Sequence, residues 1–334
     1  MTIPPVPLRL GTRASTLATT QSGLVAAMVR ERLGREVELV EVSTEGDRTG
    51  APLAQLGGTG VFVSALREAL LAGEVDLAVH SLKDLPTGPA AGIALAAVPA
   101  REDPRDVVVA RDGLTLGELP PGSRVGTGSP RRAAQLHALG LGLDVVGIRG
   151  NVDTRIRKVT DGTYDAVVLA RAGLARLGRL DEVTEVLDPL QMLPAPGQGA
   201  LAVECRADAA ELVEALATLD DPHTRVAIEA ERAVLAALEA GCSAPLGALA
   251  EVVEGEDGDE LWVRAIALSL DGGLSVRMSA TGAPEDAVGV GSRLAGEMLA
   301  DGAAALMAPA APQAAPDPTP EAAPGSTPEA MKAQ

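Results

Sequence analysis

Cys242 is one of two cysteines in the chain, and its surroundings give it the clearest potential for chemistry. It stands in the small-residue stretch Glu239–Pro245, just after a predicted helix. None of the three histidines, His80, His137 and His223, is an evident base for a Cys/His hydrolase. Cys242 is therefore either a small residue in the turn behind a glycine-capped helix or a thiol that carries a group covalently.

Three loops share a second pattern, in which a predicted strand leads through small polar residues and an arginine into a helix. They are Gly11–Ser15, Thr127–Arg132 and Arg149–Asn151. Backbone N–H groups at a helix N-terminus favour an anion, and a guanidinium group can bind a carboxylate through two parallel hydrogen bonds. Ligands of open α/β sheets bind beyond the carboxyl ends of the strands, so these loops predict one site for several carboxylates or phosphates. None has the spacing of a P-loop or a convincing dinucleotide fingerprint.

Asp84 follows Lys83 at the end of another predicted strand. It is either a turn aspartate paired with its neighbour or, at the mouth of an arginine-rich cleft, a general acid or base. The three scattered histidines show no metal-ligand spacing, so we expect no metal site.

Composition narrows the class of protein. The net charge of -18 argues against nucleic acid and anionic membranes as partners, and it makes basic residues grouped in loops informative. Two widely separated cysteines argue against a disulfide scaffold and fit a reducing cytosol. No signal peptide is evident, and no stretch approaches the roughly 18 apolar residues of a membrane span. We therefore expect a cytoplasmic protein.

Short Val, Leu and Ile runs alternate with helical patterns, which predicts an α/β fold. Ser129 is predicted to cap a helix with Pro130 at its first position, and Asn151 to cap the next. Past Cys242, antiparallel-looking strands and a helix indicate a small α+β unit. Residues 308–334 are rich in Pro and Ala without periodicity, which predicts a disordered tail.

Eight stretches, taken together and in this order, resemble the porphobilinogen deaminase family, also called the hydroxymethylbilane synthases. They span about residues 8–300 and are Leu10–Ala18, Thr44–Asp47, Val79–Pro86, Arg101–Asp106, Val125–Arg132, Ile148–Arg155, Pro196–Ala200 and Glu239–Pro245.

The resemblance implies a transferase of porphyrin, tetrapyrrole and heme biosynthesis. It joins four porphobilinogen molecules head to tail on a covalent dipyrromethane primer, one per chain, and releases ammonia and the linear tetrapyrrole hydroxymethylbilane. It further implies a monomer that hands its product to the next enzyme of the pathway, with no nucleic-acid or membrane partner. An anion-binding module without catalysis is the alternative, because solute receptors share the two-domain fold.

The resemblance also implies roles for individual residues. Cys242 carries the primer through a thioether, and Asp84 is catalytic at the pyrrole nitrogens. The residues that bind cofactor or substrate are Arg13, Ser15, Ser81, Lys83, Thr127, Ser129, Arg131, Arg132, Arg149, Arg155, Arg176 and Gln198. The glycine-rich stretch that includes Gly58 and Gly60 is predicted to form a lid with Phe62, a match to a family aromatic. Gln55 and Thr59 stand where the family often has lysines.

The implied fold is α/β, with two periplasmic-binding-protein-like α/β domains plus a small C-terminal α+β domain that holds Cys242. We expect domain 1 to comprise residues 6–100 with 200–219, and domain 2 to comprise 101–199. The C-terminal domain is expected over 222–305, followed by the tail.

Overall fold

The computed structural model describes residues 6–42, 60–238, 244–256 and 258–307, and for residues 60–62 it describes the backbone only. The predicted tail, residues 308–334, lies outside the described residues.

The described strands are β1 (Leu8–Thr12), β2 (Val37–Glu41), β3 (Leu77–Ser81), β4 (Ile93–Ala97), β5 (Asp106–Ala110), β6 (Arg124–Gly126), β7 (Asp144–Val146), β8 (Ala166–Ala170), β9 (Glu185–Val186), β10 (Leu201–Arg206), β11 (Leu246–Gly255), β12 (Gly258–Leu268) and β13 (Ser275–Gly282). The described α-helices are α1 (Thr16–Leu33), α2 (Gly60–Leu71), α3 (Pro130–Ala138), α4 (Val152–Thr160), α5 (Arg171–Arg176), α6 (Ala210–Ala217), α7 (Pro222–Ala237), α8 (Ala287–Ala300) and α9 (Ala303–Met307).

The strands form two five-stranded sheets of matching design and one three-stranded sheet. The first has the order β2-β1-β3-β10-β4 and the second has the order β7-β6-β8-β5-β9. In each, one strand runs antiparallel between its neighbours: β10 between β3 and β4, and β5 between β8 and β9. The molecule thus has two α/β domains with five-stranded sheets of the same design, and β11, β12 and β13 form the sheet of a small C-terminal α+β domain.

The chain crosses between the two α/β domains twice, at residues 98–105 and again at 187–200. The crossings touch where the N–H of Glu102 donates to the carbonyl oxygen of Gly199 over 3.3 Å. A Cβ on Gly199 would lie 2.3 Å from the carbonyl oxygen of Glu102, and its φ is +91°. Only glycine fits this close approach, so the second crossing is held directly against the first.

Glu231 on α7 ties the C-terminal domain to both crossings. Its fully buried carboxylate accepts hydrogen bonds from Arg101 over 2.6 and 3.1 Å and from the N–H of Gly197 over 2.6 Å. The N–H of Ala250 on β11 donates to it over 2.8 Å. Separating a buried ion pair is strongly destabilising, because each charge would stay buried without its partner. The contacts of Glu231 therefore hold the C-terminal domain and the two crossings in one arrangement.

The C-terminal sheet packs α7 and α8 against one face through a core of Ala, Val and Leu side chains. On its other face, Leu249 and Ile266 pack against Ala134 and Leu193 of the second α/β region. No helix within the described ranges is both long and apolar enough to cross a membrane.

Candidate active site

A cavity of about 1230 Å³ lies between the two α/β domains, beyond the carboxyl ends of β1, β3, β6, β7 and β8. This is the position expected for a ligand of open α/β sheets. The predicted site residues that line it are Arg13, Ser15, Ser81, Lys83, Asp84, Thr127, Ser129, Arg132, Arg149, Arg155 and Arg176.

Three helices whose N-termini are capped by a side chain begin at the cavity. Ser15 accepts a hydrogen bond from the N–H of Ala18 over 3.3 Å at the start of α1. Ser129 caps α3 with Pro130 behind it, and Asn151 caps α4, as the sequence predicted. The caps fix the first turns, so the positive ends of three helix dipoles border one cavity.

The charges at the cavity are strongly one-sided, although the chain as a whole is acidic. Among the described residues, six cationic side chains line it, against two carboxylates, those of Asp84 and Asp153. The Asp153 carboxylate is already paired with Arg179. The cavity therefore has a cationic excess that suits a ligand with several negative charges.

Arg131 lies behind the cavity wall and is not among the residues that line the cavity. Its guanidinium group donates to the carbonyl oxygen of Leu193 over 2.6 Å and to Asp106 over 2.8 Å, and its side chain is buried. Arg132, the next residue on α3, lines the cavity and also binds Asp106 over 2.7 Å. Successive helix residues project in different directions, so one arginine faces the ligand space while the other lies behind its wall.

Asp106 is the buried counter-charge of this pair. Burial alone would raise its pKa, but the guanidinium groups of Arg131 and Arg132 outweigh burial and hold that pKa far below its usual value. The carboxylate therefore stays ionised and fixes the orientation of Arg132. Gln198 also binds Asp106 and is buried behind the cavity lining.

Arg155 and Arg176 are half-buried cations at the cavity wall. Burial, followed by the charges of Arg132 and Arg149, lowers the pKa of Arg155 from its usual value. Burial also lowers the pKa of Arg176, whose Nη2 donates to the carbonyl oxygen of Gly199 over 2.6 Å. Both guanidinium groups remain charged, because an arginine pKa starts so high, and a bound carboxylate would relieve their desolvation.

Lys83 and Asp84 lie on a short 3₁₀ turn that follows β3. Burial, with the nearby charge of Arg132, lowers the pKa of Lys83 to about 8. Within the described residues, the Asp84 carboxylate accepts no hydrogen bond. The turn thus offers the cavity one cation and one carboxylate whose oxygens are available to a ligand.

Gln21 is a cavity residue that the sequence analysis missed. Its Nε2 donates to Ser81 Oγ over 3.0 Å, and both side chains line the cavity. It lies one helical turn after Leu17, another lining residue, so the i, i+4 spacing on α1 was the signal that could have revealed it.

Several predicted site residues cannot be placed. Cys242 and Gly58 lie outside the described residues, as do Gln55 and Thr59. Gly60 begins α2 and Phe62 follows on the same helix, but their side-chain surroundings are not described. Among the described residues, no group of three or more His, Cys, Asp or Glu side chains is placed to hold a metal ion.

Comparison with known proteins assigns the chain to a family. Residues 8–214 match the model of the "Porphobilinogen deaminase, dipyromethane cofactor binding domain", and residues 226–300 match the "Porphobilinogen deaminase, C-terminal domain". Porphobilinogen deaminase 1 of Streptomyces coelicolor is 60% identical over 309 residues, which cover 90% of this chain and 97% of that protein. A porphobilinogen deaminase of Mycobacterium tuberculosis is 61% identical over 308 residues, covering 90% and 98%.

Solved structures with a similar fold include the methionine binding protein MetQ, with a TM-score of 0.42 and 14% identity over 64% of this chain and 89% of that chain. A periplasmic substrate-binding protein from Coxiella burnetii gives a TM-score of 0.41 and 15% identity over 64% and 91%. With both family models matched in order and relatives near 60% identity over nine-tenths of its length, the chain belongs to the porphobilinogen deaminase family.

Proposed function

We infer that this chain is a hydroxymethylbilane synthase, a transferase of tetrapyrrole and heme biosynthesis. It condenses four porphobilinogen molecules head to tail on a dipyrromethane cofactor, and it releases ammonia and hydroxymethylbilane. The observation that supports this function most strongly is the match of both family models to the chain. The cavity fits the same function, because cationic side chains and the Asp84 carboxylate line it together.

The residues present fit a dipyrromethane cofactor. Each of its pyrroles bears an acetate and a propionate, so cofactor and substrate together present several carboxylates to one cavity. The cationic excess and the three helix N-termini supply charge-assisted and backbone donors for them. We assign this binding to Arg13, Ser15, Ser81, Lys83, Thr127, Ser129, Arg132, Arg149, Arg155 and Arg176.

We assign the covalent attachment to Cys242 because the other cysteine is unsuited. Cys205 is fully buried in the core of the first sheet, and burial raises the pKa of its thiol to about 11. A buried thiol that stays protonated is a poor nucleophile. When bound, the cofactor supplies the pyrrole carbon to which the first porphobilinogen is joined.

Asp84 is proposed to act at the reacting pyrroles. A carboxylate that is not already hydrogen-bonded can accept pyrrole N–H groups and balance the positive charge that the substrate develops as its amine leaves. It can also take and return a proton during bond formation. Its neighbour Lys83 and the surrounding arginines bind the carboxylates, which orients the substrate toward Asp84.

We propose that the enzyme acts as a cytoplasmic monomer and hands hydroxymethylbilane to the next enzyme of the pathway. The free thiol of Cys205 fits a reducing compartment. The domain boundaries proposed are 6–100 with 200–219, 101–199 and 222–305, which agree with the strand membership of the three sheets. The lid at Gly58, Gly60 and Phe62 stays a prediction.

The function is tested by incubating the purified chain with porphobilinogen and measuring released ammonia together with porphyrin formed after oxidation of the product. Intact-protein mass should exceed the sequence mass by one dipyrromethane. A protein that binds porphobilinogen, releases no ammonia and carries no added mass would instead be the anion-binding module.

The arginines at the cavity wall and those buried behind it should separate into binding and structural roles. Arg155→Leu should raise the KM for porphobilinogen by about tenfold or more, because a charge-assisted hydrogen bond is worth roughly 1.5–3 kcal/mol. Arg131→Leu should instead lower the melting temperature, because it leaves the buried Asp106 carboxylate short of a partner. Steady-state kinetics and thermal melts separate the two effects.

Exposed Arg277 on β13 is the control, and Arg277→Leu should leave both the KM and the melting temperature nearly unchanged. An Arg155→Leu enzyme with the KM of the parent would remove Arg155 from the binding wall.

A further inference from the structure

The side-chain amide of Gln198 has its orientation fixed by its neighbours. Its Nε2 lies 2.7 Å from the carbonyl oxygen of Pro104 and 2.8 Å from Asp106 Oδ1. Both neighbours are acceptors, so the amide nitrogen must point toward them. The amide oxygen is thereby turned the other way, toward Arg132 Nη2 at 3.4 Å and Lys83 Nζ at 3.5 Å.

Gln198 also lies where the two α/β domains meet beneath the cavity. It belongs to the second crossing, Lys83 follows β3 of the first sheet, and Asp106 and Arg132 belong to β5 and α3. The preceding residue, Gly197, packs so closely on the 3₁₀ turn Leu82–Asp84 that a Cβ would lie 3.1 Å from the backbone nitrogen of Lys83. Close backbone packing therefore holds the Gln198 oxygen below the lysine.

Within the described residues, the Gln198 oxygen is the only hydrogen-bond acceptor of the Lys83 ammonium group. The other charges facing that ammonium are the cations Arg132 and Arg131 and the carboxylates of Asp84 and Asp106. Asp106 is committed to two guanidinium groups, and Asp84 is the proposed catalytic carboxylate. Gln198 is uncharged, so its amide oxygen can accept a hydrogen bond from the Lys83 ammonium group and still leave the positive charge of that group available to a ligand carboxylate.

We propose that Gln198 is a positioning residue, which holds the Lys83 ammonium group charged and aimed into the cavity from a fixed point between the domains. This inference rests on the proposed role of Lys83 as a carboxylate-binding cation. Gln198 does not touch the ligand and acts through Lys83 and Arg132, which explains its burial behind the cavity lining.

The proposal predicts a change in ionisation with a definite sign. Gln198→Met keeps the volume and removes the acceptor, so the charged form of Lys83 loses a partner and its pKa should fall below about 8. We expect the pKa of Lys83 to fall by about one unit, because losing a hydrogen bond to a charged group changes its protonation equilibrium by roughly tenfold. Gln198→Glu puts an oxygen where the amide nitrogen lies 2.7 Å from Pro104 and 2.8 Å from Asp106, so the new carboxyl group must be protonated to donate to either acceptor. It then keeps an acceptor oxygen facing Lys83 without added charge, and the pKa of Lys83 should stay near that of the parent.

The test measures the Lys83 pKa directly in the purified holoenzyme. Competitive labelling with limiting acetic anhydride across a pH series, read by peptide mass spectrometry, reports the unprotonated fraction of Lys83. In parallel, the alkaline limb of kcat/KM for porphobilinogen should move down in Gln198→Met and stay near that of the parent in Gln198→Glu. Loss of the effect with Met and its retention with Glu, which keeps the acceptor oxygen, is a signature that simple loss of packing does not produce.

Gln135→Met is the matched control. Gln135 is another buried glutamine, and its amide makes two hydrogen bonds to the backbone of Leu193, away from the cavity. This variant should lose stability through its unpaired backbone groups yet leave the labelling profile of Lys83 and the alkaline limb in place.

Two outcomes would overturn the proposal in distinguishable ways. If Lys83→Met removes the alkaline limb while Gln198→Met leaves the labelling pKa of Lys83 unchanged, Lys83 binds carboxylates without help from Gln198. If Lys83→Met changes neither the KM nor the limb, the proposed role of Lys83 fails, and the inference about Gln198 fails with it.

Discussion

Cys242→Ser is expected to give a folded enzyme without detectable turnover and without added mass. A serine hydroxyl stays protonated and is a much weaker nucleophile than a thiol, so the cofactor cannot be attached. Intact-protein mass and the porphobilinogen assay measure the two effects on one sample.

Cys205→Ala supplies the comparison for this experiment. Because Cys205 is a buried, protonated core residue, its replacement should lower stability modestly and leave the adduct and the activity in place. Peptide mapping that finds dipyrromethane on Cys205, or an active Cys242→Ser enzyme, would overturn the assignment of the attachment site.

Asp84→Asn is expected to lower kcat on the order of 10²–10⁴-fold, the usual contribution of a positioned acid or base. The amide keeps the shape of the side chain but cannot accept a proton or balance a developing cation. The melting temperature should change little, because within the described residues the carboxylate accepts no hydrogen bond that the substitution would break.

Asp153→Asn tests whether any carboxylate at the cavity would have the same effect. Asp153 also lines the cavity, but it pairs with Arg179, so its substitution should cost much less in kcat than that of Asp84. Equal losses at the two positions would show that net charge, rather than proton transfer at Asp84, explains the result.

The features that the sequence predicted correctly depend on short stretches of chain. The caps at Ser129 and Asn151 need only a side-chain oxygen a few residues before a free N–H, so the local sequence specifies them. The location of the cavity followed from a similar rule, because loops after parallel strands meet at one edge of a sheet.

The features that the sequence analysis missed depend on packing between distant segments. Arg131 and Arg132 are adjacent and chemically identical, and both bind Asp106, but only Arg131 donates to the distant carbonyl oxygen of Leu193 behind the cavity wall. Gln198 was expected to touch the ligand because its motif resembles the family pattern. Its burial behind Lys83 depends on contacts with Pro104 and Asp106, more than ninety positions away, which no local pattern encodes.

The place of β10 in the first sheet also determines the order in which the molecule can be completed during synthesis. Its antiparallel position between β3 and β4 cannot be filled until residues 201–206 have left the ribosome. The second sheet needs only strands between residues 106 and 186, so it can close while β3 and β4 still lack the strand that joins them. In the nascent chain, the edge of β3 therefore stays unpaired until β10 has been synthesised. The wall of the ligand cavity that the first sheet supplies is complete only after β10 has paired with β3 and β4.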